Sequence, residues 1–303
     1  MMLACRGLTK KFGSTVAVNS LDLELEAKGP VALIGPNGAG KTTFLSLLCG
    51  FIRPSAGEVR VFDHKPGSSA LHGAVAALPQ DAAFDPGLSV GRQLTHYARL
   101  QGLSRGEAKS AVAASLDTVQ LGDSYRARPE ELSHGMRKRI SIAQSLLGSP
   151  KLVLLDEPTA GLDPPNAKVI RDVVRAHADQ ATFVISSHNL DELERLCTEV
   201  VFLEQGTLQA HKAIDEFEDD SSYLSVRLVD VELEDFSAAC KDLAGVEQIQ
   251  VQQGAFVVRY NQQVNPALDI RLMEMMNTRG WQYRNINRGR SLEDKLFDAG
   301  GSQ

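Results

Sequence analysis

A glycine-rich stretch near the start of the chain, GPNGAGKTT at residues 35–43, has the spacing of a phosphate-binding loop. A buried-strand pattern, PVALIG, leads into it, and a helical pattern follows it. The glycines let several backbone N–H groups point at one anion, and the helix N-terminus adds partial positive charge. We predict that this loop binds nucleotide phosphates. The predicted contacts are Gly35, Pro36, Asn37, Gly38, Ala39, Gly40, Lys41, Thr42 and Thr43.

Four side chains are placed to complete a Mg²⁺–nucleotide site. Lys41 is predicted to reach the β- and γ-phosphates, and the hydroxyl of Thr42 is predicted to bind Mg²⁺. A second buried-strand pattern, LVLLDEP, ends at Asp156, whose carboxylate would complete the metal shell. Glu157 follows directly and is the predicted general base, which polarises a water for attack on the γ-phosphate.

A basic helix start is the third chemical feature, in ELSHGMRKRISIAQSLL at 131–147. Ser133 is predicted to cap a helix that runs to about Leu147 and ends at Gly148. The first turn carries three cations, Arg137, Lys138 and Arg139. Because positive charge here opposes the helix dipole, two interpretations stay open: an anion docks at the helix start, or the cations are solvated on an exposed face.

The run LSHGM resembles the Leu-Ser-Gly-Gly-Gln signature of ABC-type ATPases. Further motifs stand in that family's order along residues 1–215: Gln80 in ALPQD, AGLD at 160–163 and His188 in VISSH. Phe12 in KKFG lies where the family places an aromatic residue under adenine. Five linked motifs make the resemblance specific, and they identify the chain as similar to the ATP-binding subunits of ABC transporters.

The resemblance implies that two cassettes pair head to tail around two ATP molecules. Ser133 and the Gly135 amide would bind the γ-phosphate of the partner's nucleotide, and Asp163 would report across the dimer. His188 would hold the γ-phosphate and the attacking water. Gln80 would contact Mg²⁺ and water, and would link the site to a helical insertion.

The signature departs from the family pattern at two positions. His134 replaces the first glycine, and Met136 replaces the glutamine. Because Ser133 and Gly135, the phosphate-facing pair, are kept, we expect activity to survive. A pH-sensing role for His134 stays open beside this interpretation.

The predicted elements divide the chain into two domains. Residues 1–214 start with alternating strands and continue as strands between helices, which predicts an α/β nucleotide-binding domain with an N-terminal antiparallel subdomain. The resemblance implies a RecA-like core, and helical periodicity predicts an insertion at about 86–147. The acidic stretch DEFEDDSS at 215–222 predicts a linker. Residues 223–303 predict the order βαββαβ, a small ferredoxin-like α+β domain, with its first strand at 223–232 and its first helix at 235–245.

Three roles stay open for the C-terminal domain: an extension of the dimer interface, a brace for the permease, or a regulatory ligand site. Its ending, SLEDKLF, begins with a relative of the capping box at Ser291. This ending, the LSHGMRKR variant and the appended domain are similar to an exporter branch whose permease is a separate chain.

The charge and hydropathy of the sequence limit the classes of partner that we expect. A net charge of −6 argues against a dedicated nucleic-acid binder, whose footprint is usually basic. No apolar run approaches the roughly 18 residues that span a bilayer, so another chain would supply the membrane part. The resemblance to subunits that act on a separate permease implies a position at the cytoplasmic face of the inner or plasma membrane. The four scattered cysteines predict core thiols in a reducing cytoplasm: Cys5, Cys49, Cys197 and Cys240.

These observations predict the ATPase subunit of an ABC exporter, which acts as a homodimer with ATP and Mg²⁺ on an integral membrane permease. An importer subunit is the first alternative. A soluble ABC ATPase of DNA maintenance would need long coiled coils, for which no sustained heptads are present. A translation-factor ABC protein would carry two cassettes, and this chain has one phosphate loop and one signature.

Overall fold

The alternating residues at the N-terminus form a three-stranded antiparallel sheet in this computed structural model. Its strands, in spatial order, are β2 (Thr15–Leu25), β1 (Leu3–Phe12) and β4 (Ala56–Val61). Leu21, Leu23 and Leu25 are buried while the residues between them are exposed, as expected for a sheet with one covered face. The predicted antiparallel start is confirmed.

The structure describes residues 1–26, 29–187, 190–214, 223–252 and 254–289. Three features of the sequence fall outside these ranges: His188, the predicted linker at 215–222 and the SLED ending at 291–294. The chain divides into two compact units, residues 1–212 and 213–303.

A six-stranded sheet carries the first unit. Its spatial order is β5 (Val75–Leu78), β6 (Leu152–Asp156), β7 (Thr182–Ser186), β3 (Val31–Ile34), β8 (Glu199–Glu204) and β9 (Thr207–Ala213). The first five strands pair in parallel. Every residue of β3 and β6 is buried, which explains their continuous apolar runs. The loops after these two strands therefore leave the same edge of the sheet.

Three helices follow strands of this sheet: α1 (Lys41–Cys49), α5 (Pro164–His177) and α6 (Leu190–Glu194). Helix α1 continues from the glycine-rich loop after β3 and buries Phe44, Leu47 and Leu48. It ends at Gly50, whose φ of 75° is the left-handed conformation that glycine adopts readily.

Three more helices form the predicted helical insertion: α2 (Val90–Leu100), α3 (Arg105–Thr118) and α4 (His134–Ser145). Short 3₁₀ turns at Gly122–Arg126 and Pro129–Glu131 connect α3 to α4. Helix α4 ends at Ser145, two residues before the predicted end at Leu147. The amides of Leu146 and Leu147 bond to carbonyls three residues back, so the last turn tightens.

The second unit has the predicted βαββαβ order. Its elements are β10 (Tyr223–Leu228), α7 (Leu233–Cys240), β11 (Val246–Gln252), β12 (Ala255–Tyr260), α8 (Leu268–Arg279) and β13 (Tyr283–Arg288). The sheet order β11-β12-β10-β13, antiparallel throughout, is the ferredoxin-like arrangement. Phe236, Leu272 and Met276 of the two helices are buried in its core.

Two elements in this unit differ from the prediction by more than two residues at one end. Strand β10 ends at Leu228 rather than 232, because the amide of Val229 turns to the carbonyl of Gln282 and Asp230 takes a left-handed φ of 54°. Helix α7 covers Leu233–Cys240 rather than 235–245, and a turn from Leu243 back to Cys240 ends it early.

The described part of the chain contains no helix that is both long and apolar enough to cross a bilayer. Within the same residues, no cluster of three or more His, Cys, Asp or Glu side chains is placed to hold a metal. All four cysteines are free thiols; Cys5, Cys197 and Cys240 are buried, and Cys49 is half-buried. Burial raises the pKa of Cys5 to about 12 and that of Cys49 to about 12, so both stay protonated in the core.

Candidate active site

The glycine-rich loop surrounds a cavity of about 410 Å³ at the edge of the sheet where β3 and β6 end. The cavity is lined by Ala17, Asn37, Gly38, Ala39, Gly40, Lys41, Thr42, Thr43, Gln80, Glu157 and Ala160. Three separate sequence motifs thus contribute to one concave surface. The structure brings together the predicted phosphate loop, Gln80 and Glu157.

Close backbone packing explains two glycines of the loop. A Cβ at Gly35 would lie 2.1 Å from the carbonyl oxygen of Leu203, and one at Gly40 would lie 2.2 Å from that of Ala17. No side chain fits at either place. The loop can therefore take this course only with glycine at both positions.

Lys41 begins α1 and points back into the loop. Its ammonium donates hydrogen bonds to the carbonyl oxygens of Gly35 at 2.7 Å and Pro36 at 3.1 Å. Only 8% of the residue is exposed. Burial lowers the pKa of Lys41, while the charges of Glu157 and Asp156 oppose that shift. The loop thus holds a buried ammonium beside two carboxylates.

The acid pair is fixed by a serine that the sequence analysis missed. Asp156 is 4% exposed, and its Oδ1 accepts a hydrogen bond of 2.5 Å from the hydroxyl of Ser186. The backbone N–H of Glu157 donates to the same hydroxyl at 3.0 Å, and Glu157 adopts a left-handed φ of 49°. Ser186 is a polar residue at the end of β7, directly opposite Asp156. Its place in VISSH, two residues before His188, was the available signal.

Gln80 is held by a second residue whose role the sequence did not define. The ammonium of Lys138 on α4 donates a 3.1 Å hydrogen bond to the Gln80 carbonyl oxygen. Burial lowers the pKa of Lys138, and the charges of Asp81, Asp156 and Glu157 oppose the shift.

The other two cations of this helix differ from Lys138 and from each other. Arg139 donates to the carbonyl oxygen of Val119 at 3.0 Å, and Arg137 is exposed. Neither interpretation of the basic turn therefore describes all three cations, because Lys138 and Arg139 have partners within the chain.

The start of α4 lies apart from the cavity lining. Ser133 caps the helix as predicted, with its hydroxyl accepting from the Met136 amide at 3.2 Å. A Cβ at Gly135 would lie 2.6 Å from the side chain of Asn166, whose amide donates to the Asp163 carboxylate. Asn166, another residue that the sequence analysis missed, thus connects the predicted signature to the AGLD loop.

Phe12 is 51% exposed at the end of β1 and is absent from the cavity lining. The ammonium of Lys10 lies 4.9 Å from the centre of its ring, a cation–π contact. His188 lies outside the described residues, so its role as a γ-phosphate contact stays a prediction.

The predicted metal ligands suit Mg²⁺ in their chemistry. Thr42 and Gln80 line the cavity, and Asp156 ends the strand that leads into Glu157. Hydroxyl, amide and carboxylate oxygens are the hard donors that Mg²⁺ prefers. The donor set therefore fits this metal.

The family model for ABC transporters matches residues 18–160. The daunorubicin/doxorubicin resistance ATP-binding protein DrrA of Streptomyces peucetius is 36% identical over 231 residues, which cover 75% of this chain and 70% of that protein. This chain belongs to the ABC transporter ATP-binding proteins. The prediction of an ATP-binding subunit of an ABC transporter, and of an ATPase, is thereby confirmed.

Other relatives of this ABC ATPase support the same assignment. Nod factor export ATP-binding protein I of Burkholderia orbicola (strain AU 1054) is 35% identical, with 66% of this chain and 67% of that protein covered. The linearmycin resistance ATP-binding protein LnrL of Bacillus subtilis (strain 168) is 31% identical, with coverage of 69% and 68%.

Solved structures confirm the fold of this ABC ATPase. An ATP-binding subunit of an ABC transporter aligns with a TM-score of 0.65 at 25% identity, covering 72% of this chain and 92% of that one. A dimeric ATP-binding cassette in a post-hydrolysis state with ADP and Pi aligns with a TM-score of 0.64 at 22% identity, covering 70% and 99%. The RecA-like core is confirmed.

Proposed function

We propose that this ABC ATPase hydrolyses Mg-ATP as a head-to-tail homodimer and drives export through a separate integral membrane permease. The dimer is supported by one observation: the predicted ATP contacts form two sets that lie apart in the chain. The loop, Gln80 and Glu157 line one cavity, whereas Ser133 and Gly135 lie outside it. A second copy that presents its α4 start to the cavity would unite them.

Export is favoured over import by the names of similar proteins. DrrA and LnrL are named as resistance proteins, and the Nod factor relatives are named as export proteins. A permease partner would place this chain at the cytoplasmic face of the inner or plasma membrane. No nucleic-acid partner is proposed.

In the proposed site, five side chains in or next to the cavity lining each have one task. Lys41 would exchange its carbonyl partners for phosphate oxygens, since a charged acceptor makes the stronger bond. Thr42, Gln80 and Asp156 would hold Mg²⁺, which neutralises phosphate charge when bound. Glu157 would take the proton of the attacking water.

The remaining predicted residues would close the site from other directions. Ser133 and Gly135 of the partner copy would bind the γ-phosphate with the α4 dipole behind them. His188 would hold the γ-phosphate, Asp163 would report across the dimer, and Phe12 would lie under adenine.

Glu157→Gln tests this proposal, because the amide cannot accept the proton of the water. We expect ATP binding to persist, turnover to fall by about 10²–10⁴-fold and an ATP-bound dimer to accumulate. Turnover is measured by phosphate release, and the dimer by light scattering after gel filtration. Glu130→Gln is the matched control, because Glu130 is an exposed carboxylate outside the cavity lining.

Wild-type turnover in Glu157→Gln would exclude this residue as the base, and a variant that stays monomeric with ATP would contradict the dimer.

Purification from membranes tests the proposed permease partner. A multi-span permease is the expected companion, whereas ribosomes or DNA in its place would overturn the transport role. Substrate accumulation against efflux in vesicles with that permease then separates an importer from an exporter.

A further inference from the structure

The segment that carries Gln80 is held by two helices of the insertion. This Gln80 segment, residues 79–87, follows β5. Near its far end, the buried side chain of Gln93 on α2 accepts from the Asp85 amide at 2.8 Å and donates to the Asp85 carbonyl oxygen at 3.0 Å. At its near end, Lys138 on α4 donates to the Gln80 carbonyl oxygen at 3.1 Å.

Lys138 is distinguished from its neighbour by its surroundings. Its ammonium interacts with the charges of Asp81, Asp156 and Glu157, and its side chain is half-buried. Arg137, the preceding residue on the same helix, is exposed and makes no side-chain hydrogen bond or ion pair within the described part of the chain. Arg137 therefore fits the description of a solvated cation, and Lys138 does not.

Lys138 also shares a rigid element with the predicted signature. Helix α4 runs from His134 to Ser145, with Ser133 as its cap. Lys138 lies about one turn beyond Gly135 on this helix. A displacement at the helix start is thus carried to the Lys138–Gln80 contact without passing through a loop.

We propose that Lys138 is a positioning residue that fixes the Gln80 segment against α4. The assignment rests on the proposed function. In the homodimer, one helix then acts on both nucleotides: Ser133 and Gly135 contact the partner's ATP, and Lys138, through Gln80, sets the geometry at its own. The two ATP sites are coupled through α4.

Lys138→Met removes the hydrogen bond and keeps the length of the side chain. We expect amide exchange of residues 79–87, measured by mass spectrometry without nucleotide, to speed up several-fold because the near end of the segment is released. Turnover should fall about tenfold with the KM for ATP within about twofold, and the Hill coefficient for ATP should approach 1.

Arg137→Met is the matched control and should behave as wild type in all three measurements. Lys138→Arg keeps a charged donor and should restore turnover to within about threefold. If Lys138→Met proves poorly folded by circular dichroism, Lys138→Gln takes its place in the same comparison.

Equal exchange and equal turnover in Lys138→Met and Arg137→Met would overturn the proposal. Slow turnover with an unchanged Hill coefficient would also contradict the coupling. Failure of the proposed function is recognised separately, because Glu157→Gln would then hydrolyse ATP normally while the exchange measurement still reports on the Lys138 contact.

Discussion

The phosphate cavity and the start of α4 are both predicted to contact ATP, yet they are built in opposite ways. In the cavity lining, Lys41 is almost fully buried and already hydrogen-bonded to the protein, and so is Asp156, which precedes the lining residue Glu157. At the start of α4, Ser133 and His134 are exposed. The side chains of the first region are already hydrogen-bonded within one chain. The second region has a capped helix start, but its side chains are exposed to solvent.

This difference explains why catalysis would depend on assembly. Hydrogen-bond donors and charges stabilise a transition state most strongly where water is excluded. Water is excluded from the buried side of the cavity around Lys41. It is excluded from the α4 start only when another surface covers that end of the helix. Apart from Glu157, whose loss would stop the chemical step itself, variants of the cavity should fail in holding metal and nucleotide. Variants of the α4 start should fail in turnover after nucleotide has bound.

Among the variants that separate the two regions, the largest expected effect comes from blocking the exposed region. Ser133→Arg places a long cation where the partner's γ-phosphate would lie, so we expect turnover to fall by at least about 100-fold. Binding of a fluorescent ATP analogue to the monomer should change little, because Ser133 does not line the cavity. Phosphate release and analogue titration measure the two quantities.

Ser104→Arg is the control for loss of a helix cap. Ser104 caps α3 through the amide of Glu107, as Ser133 caps α4. Losing a cap costs about 1 kcal/mol of stability in either case. Equal loss of turnover in both variants, or wild-type turnover in Ser133→Arg, would show that the α4 start does not form part of the partner's ATP site.

A smaller effect is expected behind the cavity lining, from Ser186→Ala. Without the hydroxyl, the Asp156 carboxylate loses the hydrogen bond that orients it, and such outer partners typically change metal affinity by about 10–100-fold. Binding of Mn²⁺ with ADP, followed by electron paramagnetic resonance, and the Mg²⁺ dependence of turnover report the shift.

Ser115→Ala is a suitable control, because Ser115 is a buried serine on α3 with one backbone hydrogen bond. It should leave metal binding unchanged. Equal Mn²⁺ affinity in Ser186→Ala and wild type would show that Asp156 needs no orienting partner, or that it is not a ligand.

The smallest effect is expected from His134→Gly, which gives the signature its common residue. His134 is exposed and does not line the cavity, and its Nε2 lies an unstrained 3.8 Å from the position of a Cβ on Gly161. Surface changes of this kind usually cost within about 0.5 kcal/mol, or about twofold in rate. A change above tenfold in turnover would instead add His134 to the phosphate contacts of the α4 start.

Local patterns were enough to predict the parts of this molecule that depend on neighbouring residues. The buried runs of β3 and β6, the glycine-rich loop and the Ser133 cap all follow from residues close in sequence. The ferredoxin-like order of the second unit was predicted in the same way, although its ends were not. Turns that depend on a distant partner, such as Val229 on Gln282, explain those differences.

Side-chain contacts between distant segments could not be predicted. The Ser186–Asp156 hydrogen bond joins residues 30 apart in sequence, and it exists because β6 and β7 are neighbours in the sheet. The Lys138–Gln80 contact joins residues 58 apart and depends on how α4 lies beside β5. Both contacts follow from the spatial order of elements, which residue patterns along the chain do not encode.

The inward position of Lys41 sets a threshold for any molecule that enters the cavity. Its ammonium already has two neutral carbonyl acceptors, at 2.7 and 3.1 Å. A newcomer gains nothing from this lysine unless it offers better acceptors, and an anionic phosphate oxygen adds a charge–charge attraction that a neutral carbonyl oxygen lacks. Sugars and nucleosides without phosphates therefore meet a satisfied lysine, and a polyphosphate displaces its internal partners. The carbonyl groups of the loop thus compete with the incoming molecule for Lys41, and this competition favours molecules that carry phosphates.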